Sequence, residues 1–341
     1  MVKKSKAELQ EAMLWQKERN GVRCFACARR CFISKDKFGY CQLRKNTGNK
    51  LFTLNYGKIR DVSVEPIEKK PLFHFYPSSK TLTVTSVGTN LPVDASEIFR
   101  DKEQEKVFGS NYTSEQVVKI AEEKKVNSIS YNSAEPFIFF EFAYKTAKLA
   151  HRSSIKNIFV TNAFVTEDAV KKAVKYLDAA LVMINASADP GFYKNYMDIA
   201  DVEPLFEALI QMKKHRVHIE IADVIVPQVG DSLESCRKLV QWISSEIGSE
   251  VPFHVMQFYP DKRLSELPPT PVSTLERCAD EARRAGLRHA YIISAPSHQD
   301  ENTYCFNCRE LLVQRFAQTV KKNNLQKDRC PNCGVRINIV A

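Results

Sequence analysis

Eight of the ten cysteines fall into two groups whose spacing suits metal ligation. The first is Cys24, Cys27, Cys31 and Cys41, with Gly39 just before the last. The second pairs Cys305 and Cys308 with Cys330 and Cys333, and Gly334 follows. A CxxC turn brings two thiolates to one ion, and a second such turn completes a tetrahedral zinc site. The second group therefore predicts a zinc ribbon, in a tail too short to hold itself together without metal. A reduced redox pair is the alternative. The first group predicts a second structural zinc site, with an iron–sulfur cluster as its alternative. Neither group leaves an open coordination position, so neither reads as catalytic. Cys236 and Cys278 stand alone in helical patterns and read as small buried hydrophobes.

These ligands need elements to carry them. Residues 5–20 predict an amphipathic helix with Leu9, Met13 and Leu14 on one face. The first cysteine module runs to about residue 45. Residues 51–64 predict a hairpin turning at Asn55-Tyr56-Gly57. From residue 81 the pattern alternates. Strands are expected at 81–87, 126–131, 157–161, 179–184, 217–226, 253–258 and 290–293. Helices are expected between them, three opened by Thr113-Ser114-Glu115-Gln116, Asp231-Ser232-Leu233-Glu234 and Ser273-Thr274-Leu275-Glu276. About seven strands and six helices in alternation predict an α/β fold, a partial parallel barrel. The expected domains are a basic N-terminal helix with cysteine module and hairpin (1–80), the barrel (81–300) and the ribbon (301–341).

Charge follows the same division. The formal net charge is +10. Residues 1–80 hold 18 Lys/Arg against 7 Asp/Glu, and residues 301–341 hold 7 against 3. The middle is slightly acidic. Glycine is scarce, 11 residues in 341, where average usage is about 7%. No GxGxxG and no GxxxxGK[ST] occurs, which excludes the glycine-loop dinucleotide and P-loop chemistries. The start lacks the apolar core of a signal peptide, and no run approaches the ~18 apolar residues of a membrane helix. A soluble, cytoplasmic protein is expected, with no membrane partner.

Several stretches resemble radical S-adenosylmethionine proteins of the AmmeMemoRadiSam group, relatives of the pyruvate formate-lyase activating enzymes. They are EPIEKKPLFHF at 65–75, YNSAEPFIFFEF at 131–142, FVTNAF at 159–164 and FHVMQFYP at 253–260. The spacing of Cys24, Cys27, Cys31 and Cys41, and the sequence around Cys305 and Cys308, are similar too. The resemblance implies a partial (β/α) TIM-like barrel of radical S-adenosylmethionine type, flanked by the two four-cysteine zinc modules. It also implies a CxxxCxxC motif after the first barrel strand, whose thiolates hold a four-iron cluster.

At those three positions this chain has Thr89, Val93 and Ser96. Valine has no ligand atom, and the hydroxyls do not ionise near neutral pH. Other cofactor-side features of the family also differ. TNG appears as Thr161-Asn162-Ala163, Asp-Leu-Lys as Met183-Ile184-Asn185, and Gly-Asn as Ser294-Ala295. The expectation is a degenerate site with no four-iron cluster, no S-adenosylmethionine and no catalytic residue. Glu135 reads as a cap on the helix that follows it, or as a residue of the barrel mouth. His74 reads as a packed histidine, or as one at the mouth. His215, His218 and His254 lack ligand spacing.

The basic residues of the modules lie among aromatics, a combination that can contact phosphates and stack on bases. Arg23, Arg29, Arg30, Lys35, Lys37, Arg44, Lys45, Lys321 and Lys322 are the nucleic-acid candidates. The leading expectation is a non-catalytic binding scaffold on nucleic acid or a ribonucleoprotein such as the ribosome. The alternatives are a pseudoenzyme partner of Memo-like or AMMECR-type proteins, and an active radical enzyme with unusual iron–sulfur ligation.

Overall fold

The structure is a computed structural model that describes residues 9–92, 100–101, 106–260, 264–293, 295 and 298–340. Residues 5–8 of the expected helix lie outside the described residues, and the first described ones form strands instead. β1 (Gln10–Glu11) and β2 (Trp15–Glu18) flank Ala12, Met13 and Leu14. Ala12 and Leu14 are buried with Met13 between them half-buried, a period of two. That is a strand pattern. β2 pairs with β3 (Gly21–Cys24), which pairs with β4 (Phe32–Ser34). The expected 51–64 hairpin is also replaced. β5 (Arg44–Thr47) and β6 (Lys50–Thr53) form a hairpin one element earlier. Its turn residues Gly48 and Asn49 have φ of 59° and 61°, the left-handed pair that a tight hairpin demands. β7 (Lys58–Ile59) then leads to β8 (Asp61–Pro66).

β8 precedes the expected start of the barrel and yet belongs to its sheet. It pairs antiparallel with β9 (Lys80–Thr85). Short strands follow: β10 (Arg100–Asp101), β11 (Lys106–Val107) and β12 (Ser110–Asn111), the last paired with β7. Then α1 (Ser114–Glu123), β13 (Ser128–Asn132), α2 (Phe140–Arg152), β14 (Lys156–Thr161), α3 (Glu167–Ala173) and β15 (Ala179–Asn185) alternate. α4 (Pro190–Tyr196), α5 (Glu203–Lys214), β16 (His218–Ile225), α6 (Leu233–Trp242), β17 (Phe253–Gln257), α7 (Val272–Arg284) and β18 (Ala290–Ile293) complete the unit. The sheet order is β8-β9-β13-β14-β15-β16-β17-β18, with every pair from β9 to β18 parallel. Seven parallel strands therefore match the sequence expectation, and the sheet stays open, with β8 and β18 at its edges.

The caps follow local chemistry. Thr113 and Gln116 form a reciprocal capping box at α1, and Ser232 caps α6. α7 starts before the expected Ser273. Pro271 is its N-cap, and its carbonyl accepts from Thr274 and Leu275.

At the N-terminal ends of the strands a buried polar floor closes the sheet. Glu220 on β16 accepts hydrogen bonds from the amides of Phe73 (2.9 Å) and His74 (2.8 Å). His218 and His254 approach the same carboxylate at 3.1 and 2.8 Å. Burial opposes ionisation there, but those imidazole contacts hold the Glu220 carboxyl well below its ordinary value. His74 also meets Tyr291 at 2.6 Å, so it lies opposite the mouth and not in it.

The ribbon packs onto this floor. It contains β19 (Thr303–Tyr304), β20 (Leu311–Arg315) and β21 (Val320–Asn323) in one antiparallel sheet. The Val340 amide donates to His74 O at 2.8 Å, Tyr76 N donates to Val340 O at 2.7 Å, and Arg315 donates to Phe73 O at 3.0 Å. Among the described residues no helix is long and apolar enough to cross a membrane.

Candidate metal centres

The C-terminal cysteines converge. Cys305 and Cys308 sit on the turn after β19, and Cys330 and Cys333 on a second turn closed by Gly334 at φ 70°. Cys305 Sγ lies 3.6 Å from Cys333 Sγ, and Cys308 Sγ lies 3.6 Å from Cys330 Sγ. All four sulfurs fall within 4.8 Å of one another. A zinc ion with bonds of about 2.3 Å sets tetrahedral thiolates about 3.8 Å apart, so these residues fit one ion. Burial pushes the Cys305 thiol up to about 12. The Asn307 side chain and the Val335 amide bring Cys333 down to about 6. The ribbon core is small: Leu312, Val313, Ile337 and Ile339 around Cys305 and Cys330.

The N-terminal cysteines surround a space and do not converge in this way. Cys24, Cys27, Cys31 and Cys41 line one cavity together with Ile33, Arg44, Asn90 and Ile138. Its void is about 10 Å³. Among the described residues only the C-terminal quartet draws its ligand atoms within 4.8 Å of each other. Tyr40 N approaches Cys31 Sγ at 3.5 Å.

This module sits over the C-terminal ends of the parallel strands. Gly88 lies so close beneath it that a Cβ there would stand 2.4 Å from Leu43 Cδ1 and 2.8 Å from Ile138 Cγ2. Phe25 O accepts from Thr166 at 2.5 Å, and Ala28 N donates to Phe164 O at 3.2 Å. Arg44 is buried and forms a two-pronged ion pair with Glu141 of α2, at 2.8 and 3.0 Å. Glu141 also accepts from Met13 N at 2.8 Å.

Beneath the module, the described residues of the mouth are tied to one another. Thr89 Oγ1 accepts from Leu91 N at 3.1 Å. Val93 and Ser96 lie outside the described residues, as does Ser294. Buried Asn90 donates to Phe164 O at 2.7 Å and accepts from Asn162 Nδ2 at 2.7 Å. Glu135 accepts from Thr161 Oγ1 (2.8 Å) and Asn162 N (2.9 Å), and more loosely from Phe137 N (3.4 Å). It is therefore a tie between two mouth loops as well as a turn cap. Burial raises its carboxyl to about 7. Asp223, bonded to Ser187, is raised to about 6 by the same cause. Ala163 has φ of 56°, a conformation that favours glycine.

The basic candidates separate by burial. Arg44 is committed to Glu141 inside the protein, which removes it as a phosphate ligand. Arg29 is also committed: it donates to Asn90 O at 2.6 Å and Asp198 O at 2.9 Å and stacks on Tyr40. Arg23 pairs with Glu18. Arg30, Lys35 and Lys37 are exposed, and Lys45 lies over the Phe38 ring. Lys321 and Lys322 are exposed on β21, with Lys321 near exposed Phe316.

Sequence reasoning missed a seam between barrel and ribbon. Arg288 stacks 4.5 Å from the Phe306 ring centre, and Arg309 lies 5.5 Å from that of Tyr304. They border a cavity of about 310 Å³ with Arg283, His289, Tyr291 and Asn302. Burial, helped by Arg288, lowers His289 to about 4, so its imidazole is neutral. Nothing in local spacing marks this seam, because its halves are distant in sequence.

No family model matches the chain. A radical SAM methyltransferase from Sphaerobacter thermophilus is similar in structure, with 14% identity, a TM-score of 0.49, and coverage of 64% of this chain and 67% of that one. A domain of a pyruvate-formate lyase-activating enzyme from Bacteroides vulgatus is similar over 49% of this chain and 98% of that one, with 13% identity and a TM-score of 0.43. In sequence, 337 residues are 34% identical to the uncharacterized protein MJ0808 of Methanocaldococcus jannaschii, covering 97% of this chain and 100% of that protein. At that identity over the full length, the chain belongs to the same family as the Methanocaldococcus jannaschii protein.

Proposed function

We propose that this protein is a radical S-adenosylmethionine-like fold that has given up radical chemistry and binds single-stranded nucleic acid through its ribbon and the adjoining barrel edge. The observation that carries the binding reading is the seam. Arg288 and Arg309 each lie over an aromatic ring, and neither has a carboxylate partner among the described residues. Cations beside ring faces suit a chain of phosphates and splayed bases. Exposed Lys321 and Lys322 extend the same basic tail.

The loss of chemistry rests on the family's cluster position. Thr89 Oγ1 accepts from Leu91 N, Val93 offers no donor atom, and neutral hydroxyls are poor iron ligands. Asn90 and Glu135, which border the site, are already taken up in tying its loops together. These residues do not fit a four-iron cluster. The C-terminal quartet holds zinc as a structural ion.

The test is binding to labelled single-stranded RNA and DNA over a salt series. Six phosphate contacts give a log–log slope of about −4 on a single strand. Arg288→Ala with Arg309→Ala should lower affinity and flatten that slope by about 1.4. A flat salt response in the parent protein sinks the reading. A stoichiometric protein partner that survives nuclease treatment would replace it with a protein scaffold.

A further inference from the structure

The seam between barrel and ribbon holds more than its two cation–aromatic pairs. Its barrel side is the turn from α7 into β18, and its ribbon side is β19 with the cysteine turn that follows. The cavity between them, about 310 Å³, lies at the small end of ligand pockets, ~300–1,000 Å³. That is room for one nucleotide and not for a duplex. Guanidinium planes and aromatic faces, both present here, are the surfaces on which an unstacked base settles.

The polar groups of the wall are left over from folding. His289 is 4% exposed, and its Nε2 is buried without a hydrogen-bond partner. Its ring is held edge-on between His74, at 4.5 Å, and Phe306, at 6.2 Å. Position is therefore fixed while a polar atom stays unpaired, and a ligand that pairs it recovers the cost of burying it. Asn302 Oδ1 accepts from Arg315 N at 2.7 Å. That bond orients the amide and leaves both N–H groups of Nδ2 without a partner among the described residues. Asp300, the carboxylate on this wall, pairs with Arg283. The side-chain groups that remain are mostly donors: Asn302 Nδ2, Arg288 and Arg309. The neutral His289 imidazole adds one N–H and one lone pair.

We infer that the seam is a pocket for one base of a single strand and selects a keto base, uracil or guanine, with Asn302 and His289 as the specificity-determining residues. The inference rests on the nucleic-acid reading above and goes beyond it, because phosphate contacts alone carry no sequence information. Uracil offers carbonyl oxygens to the donors and an N–H to the imidazole lone pair. Cytosine is the same size but carries an amino group where uracil has O4. That amino group meets the Asn302 donors and leaves both sides unpaired. Adenine differs from guanine by the same exchange.

The test titrates all-uracil and all-cytosine RNAs of about nine nucleotides into the full chain at one salt concentration. The two have equal charge, so phosphate binding does not separate them. The uracil strand should bind at least about fivefold tighter, the lower bound for one mismatched base edge. Asn302→Asp keeps the acceptor for Arg315 N and turns the free donor into an acceptor. Its added charge weakens both strands alike, so the preference for uracil should vanish or reverse. Equal, salt-dependent binding of both strands by the parent, or an unchanged ratio in Asn302→Asp, overturns the base pocket and leaves the nucleic-acid reading standing. Binding of neither strand overturns both. The parent comparison decides by itself if the variant does not fold.

Discussion

Two buried charges show how single residues hold the mouth together. Arg44 and Glu141 join the N-terminal module to α2 in a site that excludes water. Arg44→Ala strands the carboxylate and should cost about 3–5 kcal/mol by denaturant melts. Arg44→Met with Glu141→Gln removes both charges and keeps an acceptor for Met13 N, so the double variant should be more stable than Arg44→Ala alone. A single variant that is no worse than the double would show that the pair is not coupled. Glu135 contributes a pH dependence of its own. Its folded value of about 7 lies above the ordinary 4.5. Between those values the folded protein keeps a proton that the unfolded chain has released, so Glu135 lowers stability as pH rises through that window. A shift of that size is about 3 kcal/mol. The stability of Glu135→Gln relative to the parent should therefore climb from pH 4.5 to about 7 and level off above it. A difference independent of pH would mean that Glu135 is ionised throughout.

Among the elements, the ribbon is the one that depends on its ion. Its core consists of a few apolar side chains and the cysteines themselves, too little to offset the ordering of the segment. Cys330→Ser should release the ribbon's zinc and expose β20 and β21 to hydrogen exchange, while β14 to β16 stay protected. Unchanged protection in β20 would mean that the floor contacts at His74 and Phe73 suffice. The strands and helices of the barrel are legible in the sequence because burial imposes a period: 2 or continuous in strands, 3.6 in helices. Residues 9–20 mislead for a related reason. Leu9, Met13 and Leu14 fit a helical face, but Leu9 is exposed and the buried pair is Ala12 and Leu14. The segment is held by partners the local pattern does not show: Ala12 N donates to Leu51 O, Leu14 O accepts from Phe25 N, and Met13 N donates to Glu141, over a hundred residues away. α4 escapes a periodicity reading because it is short and begins at a proline after Asp189.

Across the whole molecule, the cysteine groups and the basic ends are readable as composition, but their division of labour is not. Spacing alone does not distinguish sulfurs that touch from sulfurs that ring a void, nor Arg44 inside from Arg30 outside. The seam between Arg288 and the ribbon needs the fold to exist at all. The sheet order has one more consequence, for how the protein is made. Its seven parallel strands lie in space in the order in which the ribosome would deliver them, so each can dock beside its predecessor as it emerges. The N-terminal module has no such convenience. Its docking partners include Glu141, Phe164, Thr166 and Asp198, which are translated much later. During that interval its four thiols stand open to oxygen and to stray metals. Whatever ion or cluster they finally hold must therefore be delivered against that competition, or after β14 and α4 have closed the door.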